Sequence, residues 1–403
     1  TGLKIDVLSN TERTFLDYKS IACVEKDFYK VIQSGTAIVD VGGGSVQICL
    51  FDNDKLVTTQ NIRIGNLRVS EKVADFSREN IHVGAMVEEL INNDVASFKK
   101  MYLKDREIRT LIIAGDYILD LLKKSVVTAE EFRTLYDRIA EKKPEDIAKQ
   151  YGIHAEYASM ILPSVTIYKR LIEEFGAQNI YLPGIDLADG IAYDYAQANR
   201  YIRSSHEFND DIVAAARSIA KRYQCNKSHI RNLDGIALPI FDRMRKLSGM
   251  TDRDRLLLNI AVILHGCGKY ISMSDSSECA YSIIMASEII GLSRKERRII
   301  ANVVKYNTQE FTYEDILEQP QFNAGDFLLI TKMVAILRVA NALDRSHKQK
   351  FGKVSFTIKD KELLIQAETK EDITLEKGLF PPKADFFEEV FHIRPVIKRK
   401  KTL

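Results

Sequence analysis

The stretch from Ala37 to Phe51 places an acidic side chain beside a run of glycines, a combination that suits phosphate chemistry. Two apolar segments flank a turn, and Asp40 stands just before it. The turn consists of Gly42, Gly43, Gly44 and Ser45. Glycine has no Cβ and tolerates positive φ, so backbone N–H groups can approach an anion closely. The pattern predicts strand, phosphate-binding loop and strand; a glycine-rich hairpin turn with an ordinary aspartate is the alternative.

Composition sets the class of protein. At 403 residues the chain is long enough for two or three domains. Hydrophobic content of 45% and charged content of 28% are typical of globular proteins. The net charge of +2 gives no reason to expect nucleic acid as a partner. The basic run Lys398-Arg399-Lys400-Lys401 is expected to be a solvated terminus.

The cysteines and the hydropathy pattern indicate the compartment. The five cysteines form no CxxC pair, which favours a reducing, cytoplasmic setting. We find neither an apolar run of about 18 residues nor a signal-peptide pattern, so no membrane span or secretion is predicted. The chain opens on Thr1 rather than Met, so we expect a fragment or a processed product.

Periodicity predicts an α/β lobe over residues 1–200. Alternation through Leu3, Ile5 and Val7 predicts a strand over 1–9, and a helix should begin at 10–12 with Phe15, Ile21 and Val24 inward. Two strands are expected within 37–51, one on each side of the glycine turn, and further strands are expected at 57–63, 109–115 and 179–184. A turn is expected at 52–54, and a capping box is expected at 128–131.

Residues 201–403 have a different composition. Nearly continuous amphipathic helix is expected from Ser204 to about Leu343, and the linker between the two domains is expected within 201–210. A short hairpin should form from 354–358 and 363–367, and a mixed segment should close the chain at 373–391.

Five motifs, in this order, resemble the exopolyphosphatase and guanosine pentaphosphate phosphatase family. They are IVDVGGGS at 38–45, IGNLRVSE at 64–71, LHG at 264–266 with IIANV at 299–303, LRVANALDRSH at 337–347, and FEEVF at 387–391. The resemblance implies an actin-like, ribonuclease-H-like lobe followed by a helical domain similar to HD phosphohydrolases. It implies hydrolysis of terminal phosphoanhydride bonds of polyphosphate or guanosine pentaphosphate, with Mg²⁺. The family normally begins with another lobe carrying an Asp-x-Gly-Ser-Asn loop; without that stretch, this chain is expected to start at the second lobe.

The resemblance also assigns roles. Gly42 to Ser45 would hold phosphate, and Asp40 would hold the metal. Glu12 is the surviving acidic candidate for water activation, because Arg13 replaces the second of two family glutamates. A guanidinium cannot accept a proton near neutral pH, but it can bind phosphate. Arg68 is expected either to contact phosphate or to form a surface salt bridge.

Several other family positions have changed. Gln47 replaces an acidic residue, the Arg of Gly-Leu-Arg-Glu-Gly is lost from 186–190, and Gly-Gly-Thr is reduced to Ala-Gly-Asp at 114–116. In the helical domain His229 and His265 remain, but Gly266 and Asn341 replace two metal-binding aspartates. We therefore expect a structural or regulatory helical domain, with Asp344 and Arg345 as a packing ion pair or interface.

Two functions follow from these observations. The first is an exopolyphosphatase-type hydrolase with eroded catalytic carboxylates, and the alternative is a catalytically impaired regulatory protein that binds polyphosphate or guanosine phosphates. An actin-like ATPase or sugar kinase fits less well, because the helical C-terminal half is atypical of those proteins. By analogy with similar helical domains, a homodimer is expected.

Overall fold

The computed structural model describes residues 2, 5, 7–24, 28–76, 82–104, 106–115, 117–203, 206–352 and 354–400. The chain divides into a first unit, Thr1–Ala215 with Glu288–Gly291, and a second unit, Ala216–Ser287 with Leu292–Leu403. The sequence predicted domains at 1–200 and 201–403. Among the described residues of the expected linker, 201–203, 206 and 207 lie outside helices and strands.

Ten α-helices, one short π-helix (Lys99–Leu103) and six strands start in the first unit, within the described part of the chain. The helices are α1 (Asn10–Val24), α2 (Phe28–Gln33), α3 (Asn66–Phe76), α4 (Val83–Phe98), α5 (Tyr117–Leu122), α6 (Ala129–Ile139), α7 (Pro144–Tyr151), α8 (Ala155–Phe175), α9 (Leu187–Ala198) and α10 (Phe208–Arg222). The strands are β1 (Thr36–Val41), β2 (Val46–Asp52), β3 (Lys55–Ile62), β4 (Thr110–Ile113), β5 (Val126–Thr128) and β6 (Asn179–Tyr181).

The second unit is mainly helical, as the sequence predicted. Its helices are α11 (Lys227–Ser248), α12 (Asp252–Leu264), α13 (Ser276–Ala286), α14 (Arg294–Tyr306), α15 (Tyr313–Leu317), α16 (Ala324–Leu343), α17 (Thr374–Leu379) and α18 (Pro381–Phe391). Its strands are β7 (Val354–Lys359), β8 (Glu362–Glu368) and β9 (Arg394–Lys400). From Ile330 to Leu343 helix α16 is buried on nearly all sides, because its sequence is apolar around the whole helix.

A six-stranded mixed sheet of order β3-β2-β1-β4-β6-β5 forms the centre of the first unit. Strands β1, β2 and β3 form an antiparallel meander, while β1, β4 and β6 run parallel. Alternate residues of β1 face opposite sides of this sheet. Ala37, Val39 and Val41 join the hydrophobic core that α4 and α8 complete, whereas Asp40 points towards α1.

Two predicted hairpin turns are confirmed. Asn53 and Asp54, between β2 and β3, have φ of 52° and 60°. Asp360 and Lys361, between β7 and β8, have φ of 50° and 62°. Two successive residues in the left-handed region match the twist of antiparallel strands, and Asn and Asp tolerate that region well.

Three expectations for the ends of the chain need correction. In the predicted strand 1–9, the described residues 2, 5 and 7–9 are not in a strand, and Leu3 lies outside the described residues. Ile5 and Val7 are 83% and 90% exposed, because no sheet edge receives the alternating pattern. Val24, expected to be inward, is 51% exposed at the end of α1.

The expected solvated basic terminus is also wrong for the residues that the structure describes. Residues 394–400 form β9, which pairs in parallel with β8 and extends the predicted hairpin to a three-stranded sheet. The fourth residue of the basic run, 401, lies outside the described residues. Charge patterning favoured a solvated tail here, and backbone pairing with β8 outweighs it.

No helix within the described ranges is both long and apolar enough to cross a bilayer.

Candidate phosphate-binding site

The glycine loop joins β1 to β2 at the edge of the sheet where α1 and α3 begin. The Gly42 N–H donates to the Ser45 carbonyl over 3.0 Å and closes the loop. The N–H groups of Gly43, Gly44 and Ser45 donate to no other described residue, so they are free to meet an anion. None of the three loop glycines has positive φ. Their lack of a side chain, rather than their conformational freedom, is therefore what the site uses.

The first turn of α3 holds the loop from behind. The Asn66 N–H donates to the Gly42 carbonyl over 3.0 Å, and the Arg68 N–H donates to the Gly43 carbonyl over 3.1 Å. Gly65 allows this approach, because a Cβ there would lie 2.3 Å from Ser45 N and 2.4 Å from the Gly43 oxygen. The carbonyls of Gly42, Gly43 and Ser45 are thus occupied by protein donors, and the N–H groups of Gly43, Gly44 and Ser45 are left for a ligand.

Arg13, in the first turn of α1, lies beside the loop and binds Asp40. Its Nη2 is 2.9 Å from Asp40 Oδ2, and its Nη1 is 3.4 Å from the position that a Cβ of Gly42 would take. Its Nε is 3.8 Å from Asp17 Oδ2, one turn further along α1. A single guanidinium therefore lies between two carboxylates and next to the phosphate-binding loop.

Asp17 is a site residue that the sequence reasoning missed. Burial raises its pKa to about 7, and the nearby charge of Asp40 adds to this rise, whereas Arg13 opposes it. Burial likewise raises the pKa of Asp40, again against the influence of Arg13. A carboxyl group with a pKa near neutrality can both accept and donate a proton at working pH. An acidic residue four positions after Arg13 on the inward stripe of α1 was the available signal.

A row of polar side chains crosses the sheet next to Asp40. Asp40 pairs with Gln47, and Gln47 pairs with Asn61, in antiparallel register, so all three point to the same face. Gln47 Oε1 and Asn61 Oδ1 are buried and accept no hydrogen bond from the described residues. Buried oxygens of this kind normally have a partner, so the face is suited to a polar ligand or to ordered water.

Glu12 and Arg68 have structural partners of their own. Glu12 Oε2 accepts hydrogen bonds from the Ser9 N–H at 2.9 Å and from Ser9 Oγ at 2.6 Å, as the cap of α1. The catalytic role assigned to Glu12 stays a prediction. Arg68 is exposed, and its side chain forms no ion pair with the described residues, so the salt bridge considered for it is not seen.

The altered segment 186–190 now has a structural explanation. Asp186 accepts hydrogen bonds from the N–H groups of Ala188 and Asp189 and caps α9. Gly190 is needed for packing, because a Cβ there would lie 2.4 Å from the Leu16 carbonyl oxygen of α1. The other altered segment is 114–116. The Gly115 N–H donates to the Ile185 carbonyl, and Gly115 has φ of +105°. Residue 116 lies outside the described residues.

In the second unit, Asp344 binds a histidine rather than its neighbour in sequence. His229 Nδ1 is 2.7 Å from Asp344 Oδ2, and the Gln349 N–H donates to Asp344 Oδ1 over 2.8 Å. Arg345 is exposed. The expected ion pair between Asp344 and Arg345 is therefore wrong, because the carboxylate points into the unit.

The strand order of the sheet and the position of the glycine loop define the class of protein. Three antiparallel strands, followed by parallel strands added on the β1 side, form the ribonuclease-H-like lobe of actin-like ATPases, here followed by a helical domain. Two family models match: "Ppx/GppA phosphatase family" over residues 1–199 and "Ppx/GppA phosphatase, domain III" over residues 213–380. The chain belongs to the Ppx/GppA phosphatase family.

Individual relatives are distant. A guanosine-5'-triphosphate,3'-diphosphate pyrophosphatase of Photobacterium profundum is 20% identical over 362 residues, which are 86% of this chain and 68% of the relative. A Ppx/GppA family member of Aquifex aeolicus is 15% identical with a TM-score of 0.40, over 51% of this chain and 67% of that one. An exopolyphosphatase of Cytophaga hutchinsonii is 14% identical with a TM-score of 0.39, over 48% and 66%.

Proposed function

We propose that this protein is a phosphohydrolase that removes terminal phosphates from polyphosphate or from guanosine pentaphosphate. The observation that carries the proposal is the loop 42–45, which has free N–H groups beside the Arg13 guanidinium. Backbone donors and a fixed cation are what a transferred phosphoryl group needs as negative charge builds on its oxygens. Membership of the Ppx/GppA phosphatase family supports the reaction class.

The proton that leaves the attacking water needs an acceptor. Glu12 is the acceptor that the family resemblance suggests, and its Oε2 is engaged by Ser9. Asp17 is a second candidate, because its pKa of about 7 keeps part of the population ionised at neutral pH. We propose Asp17 as the acceptor, with Arg13 holding the phosphate and Asp40 holding Arg13.

The expected Mg²⁺ does not fit the residues that surround Asp40. The cation next to Asp40 is the Arg13 guanidinium at 2.9 Å. The positive charge of this guanidinium repels a second cation at the same carboxylate. We therefore derive no step through a metal, and we propose that Arg13 supplies the positive charge.

The test is release of orthophosphate from polyphosphate and from guanosine pentaphosphate, with added Mg²⁺ and with chelator. We expect turnover in both conditions, and we expect Asp40→Ala and Asp17→Asn to lower kcat by about 100-fold or more. Asp360→Asn, on the β7–β8 turn of the second unit, is the matched control and should keep full activity. Absence of turnover on every substrate in both conditions would contradict the proposal.

The second candidate function is a regulatory protein that binds the same phosphates without cleaving them. The Arg13–Asp40 ion pair favours it, because a guanidinium binds phosphate but cannot activate water. Arg13→Met should then weaken phosphate binding by about tenfold, while Arg243→Met on α11 should leave it unchanged. Tight binding of guanosine pentaphosphate with no turnover would select this function over hydrolysis.

We further propose a cytoplasmic homodimer with neither membrane nor sequence-specific nucleic acid as a partner. All five cysteines are free, which is compatible with a reducing compartment. Gel filtration at micromolar concentration measures the assembly, and elution as a monomer alone would overturn the dimer.

A further inference from the structure

The second unit contains a cavity of about 450 Å³ that the proposed phosphohydrolase activity does not use. The start of α11, the end of α12 and the single turn Cys267–Tyr270 surround it. We propose that this cavity binds a small phosphate anion between His229 and Lys269. The side chains of its lining that matter for this proposal are Tyr223, His229, His265, Lys269, Tyr270 and His347.

His229 is the group that points to a ligand. Its side chain is 2% exposed, and its Nε2 accepts or donates no hydrogen bond within the described part of the chain. Its other nitrogen, Nδ1, is bound to Asp344 Oδ2 at 2.7 Å. Burial raises the pKa of Asp344, but hydrogen bonds from His229, Asn232 and the Gln349 N–H outweigh this effect and lower it overall.

This arrangement leaves one ring nitrogen of His229 for a ligand. Because Asp344 is ionised, the Nδ1–H group donates to it, and Nε2 is the nitrogen without a partner among the described residues. Nε2 can therefore accept a hydrogen bond from a protonated oxygen of the ligand, such as the P–OH group of a phosphate monoanion.

The charges around the cavity favour an anion. Its lining includes Lys269 but no Asp or Glu side chain. Lys269 is exposed and forms no ion pair with the described residues. Burial and the charge of neighbouring groups lower the pKa of His265 to about 3 and that of His347 to about 4, so both rings are neutral at pH 7.

His347 is held in an unfavourable conformation to form this wall. Its φ is +55°, and its ring stacks on His229 at 3.6 Å with an angle of 10° between the planes. Since ring lone pairs lie in the ring planes, these two parallel rings cannot direct both lone pairs at one ion. His265 Nδ1 is 2.6 Å from the Val262 carbonyl oxygen, which fixes that ring as well. The site suits an anion better than a metal chelate.

The rim offers a surface for a larger ligand. Tyr223 and Tyr270 meet edge to face with ring centroids 5.7 Å apart. Such rings can pack against a base or another apolar group attached to the anion. The anion can thus come from free phosphate or from a nucleoside monophosphate, and the experiment separates these sources.

The experiment follows the histidine ring signals by ¹H–¹⁵N NMR while orthophosphate or guanosine monophosphate is added to the whole protein. At pH 6 we expect saturable shifts of the His229 and His347 signals. Lys269→Met should weaken this binding by about tenfold, while Lys246→Met on the outer surface of α11 should not change it. Tighter binding of the nucleotide than of orthophosphate would identify the Tyr223–Tyr270 rim as part of the site.

The charged and titratable groups that face His229 are Asp344, His265, His347 and Lys269. Because a phosphate monoester loses its P–OH proton near a pH of about 6, affinity should fall by about tenfold or more between pH 6 and pH 8. Arg13→Met tests the other unit separately and should leave the His229 shifts intact. Unshifted His229 signals, or equal affinity in wild type and Lys269→Met, would overturn the anion site without bearing on the hydrolase proposal.

Discussion

At the scale of single residues, Arg13 determines the charge around the glycine loop. Its Nη2 lies 2.9 Å from Asp40 Oδ2, and its Nε lies 3.8 Å from Asp17 Oδ2. Its Nη1 lies 3.4 Å from the position that a Cβ of Gly42 would take. The sequence suggested Arg13 as a phosphate ligand, because a guanidinium can bind phosphate although it cannot accept a proton in place of a catalytic carboxylate. Its pairing with Asp40 could not be predicted, since it depends on how α1 lies across the sheet.

Gly65 is a residue whose substitution tests the geometry of the loop. We expect Gly65→Ala to lower the free energy of unfolding by roughly 2–3 kcal/mol, because the new Cβ would lie 2.3 Å from Ser45 N and 2.5 Å from the Gly42 oxygen. Urea unfolding measures the change.

Gly235 is the matched control for Gly65, since it lies within α11 with no positive φ and nothing within 4 Å of a Cβ position. Gly235→Ala should stabilise by roughly 0.5–1 kcal/mol. Equal effects of the two substitutions would contradict the close contact between Gly65 and the loop.

At the scale of elements, local signals predicted most of what the structure shows. The glycine loop, both hairpin turns and the capping box at Thr128 were readable, because each depends on a few adjacent residues. Strand β5 has only three residues, and β9 follows a helix and pairs in parallel with β8. Such short or distant pairings leave little periodicity in the sequence.

The capping box of α6 gives a test at this scale. Thr128 Oγ1 accepts from the Glu131 N–H at 3.2 Å, and the Glu131 carboxylate accepts from the Thr128 N–H at 2.8 Å. We expect Thr128→Ala to cost about 1 kcal/mol of stability in urea unfolding.

Thr134→Ala, on the exposed face of the same helix, is the comparison for Thr128. Its hydroxyl donates only to the Glu130 carbonyl, so its loss should cost less than about 0.5 kcal/mol. A cost as large as that of Thr128→Ala would mean that the cap contributes nothing of its own.

At the scale of the whole molecule, stability should depend on pH through Asp17. Its pKa rises on folding from an ordinary 3.8 to about 7, so the folded state binds the proton more tightly than the unfolded state. The contribution of Asp17 is therefore fully present below about pH 4 and is lost as pH rises through 7.

Asp17→Asn should remove this pH dependence. The free energy of unfolding of the variant minus that of wild type should be roughly 1–3 kcal/mol larger at pH 8 than at pH 4. Thermal or urea unfolding across this range measures the difference. Parallel pH profiles of wild type and variant would show that Asp17 is not the titrating group.

Strand β9 has a consequence for molecules that meet in solution. It lies at the end of the order β7-β8-β9, and among its described side chains are Arg394, Pro395 and Lys398. A proline cannot donate to a new neighbouring strand, and lysine and arginine on two approaching copies would repel each other. The edge of β9 therefore protects the sheet from growing, strand by strand, into a polymer.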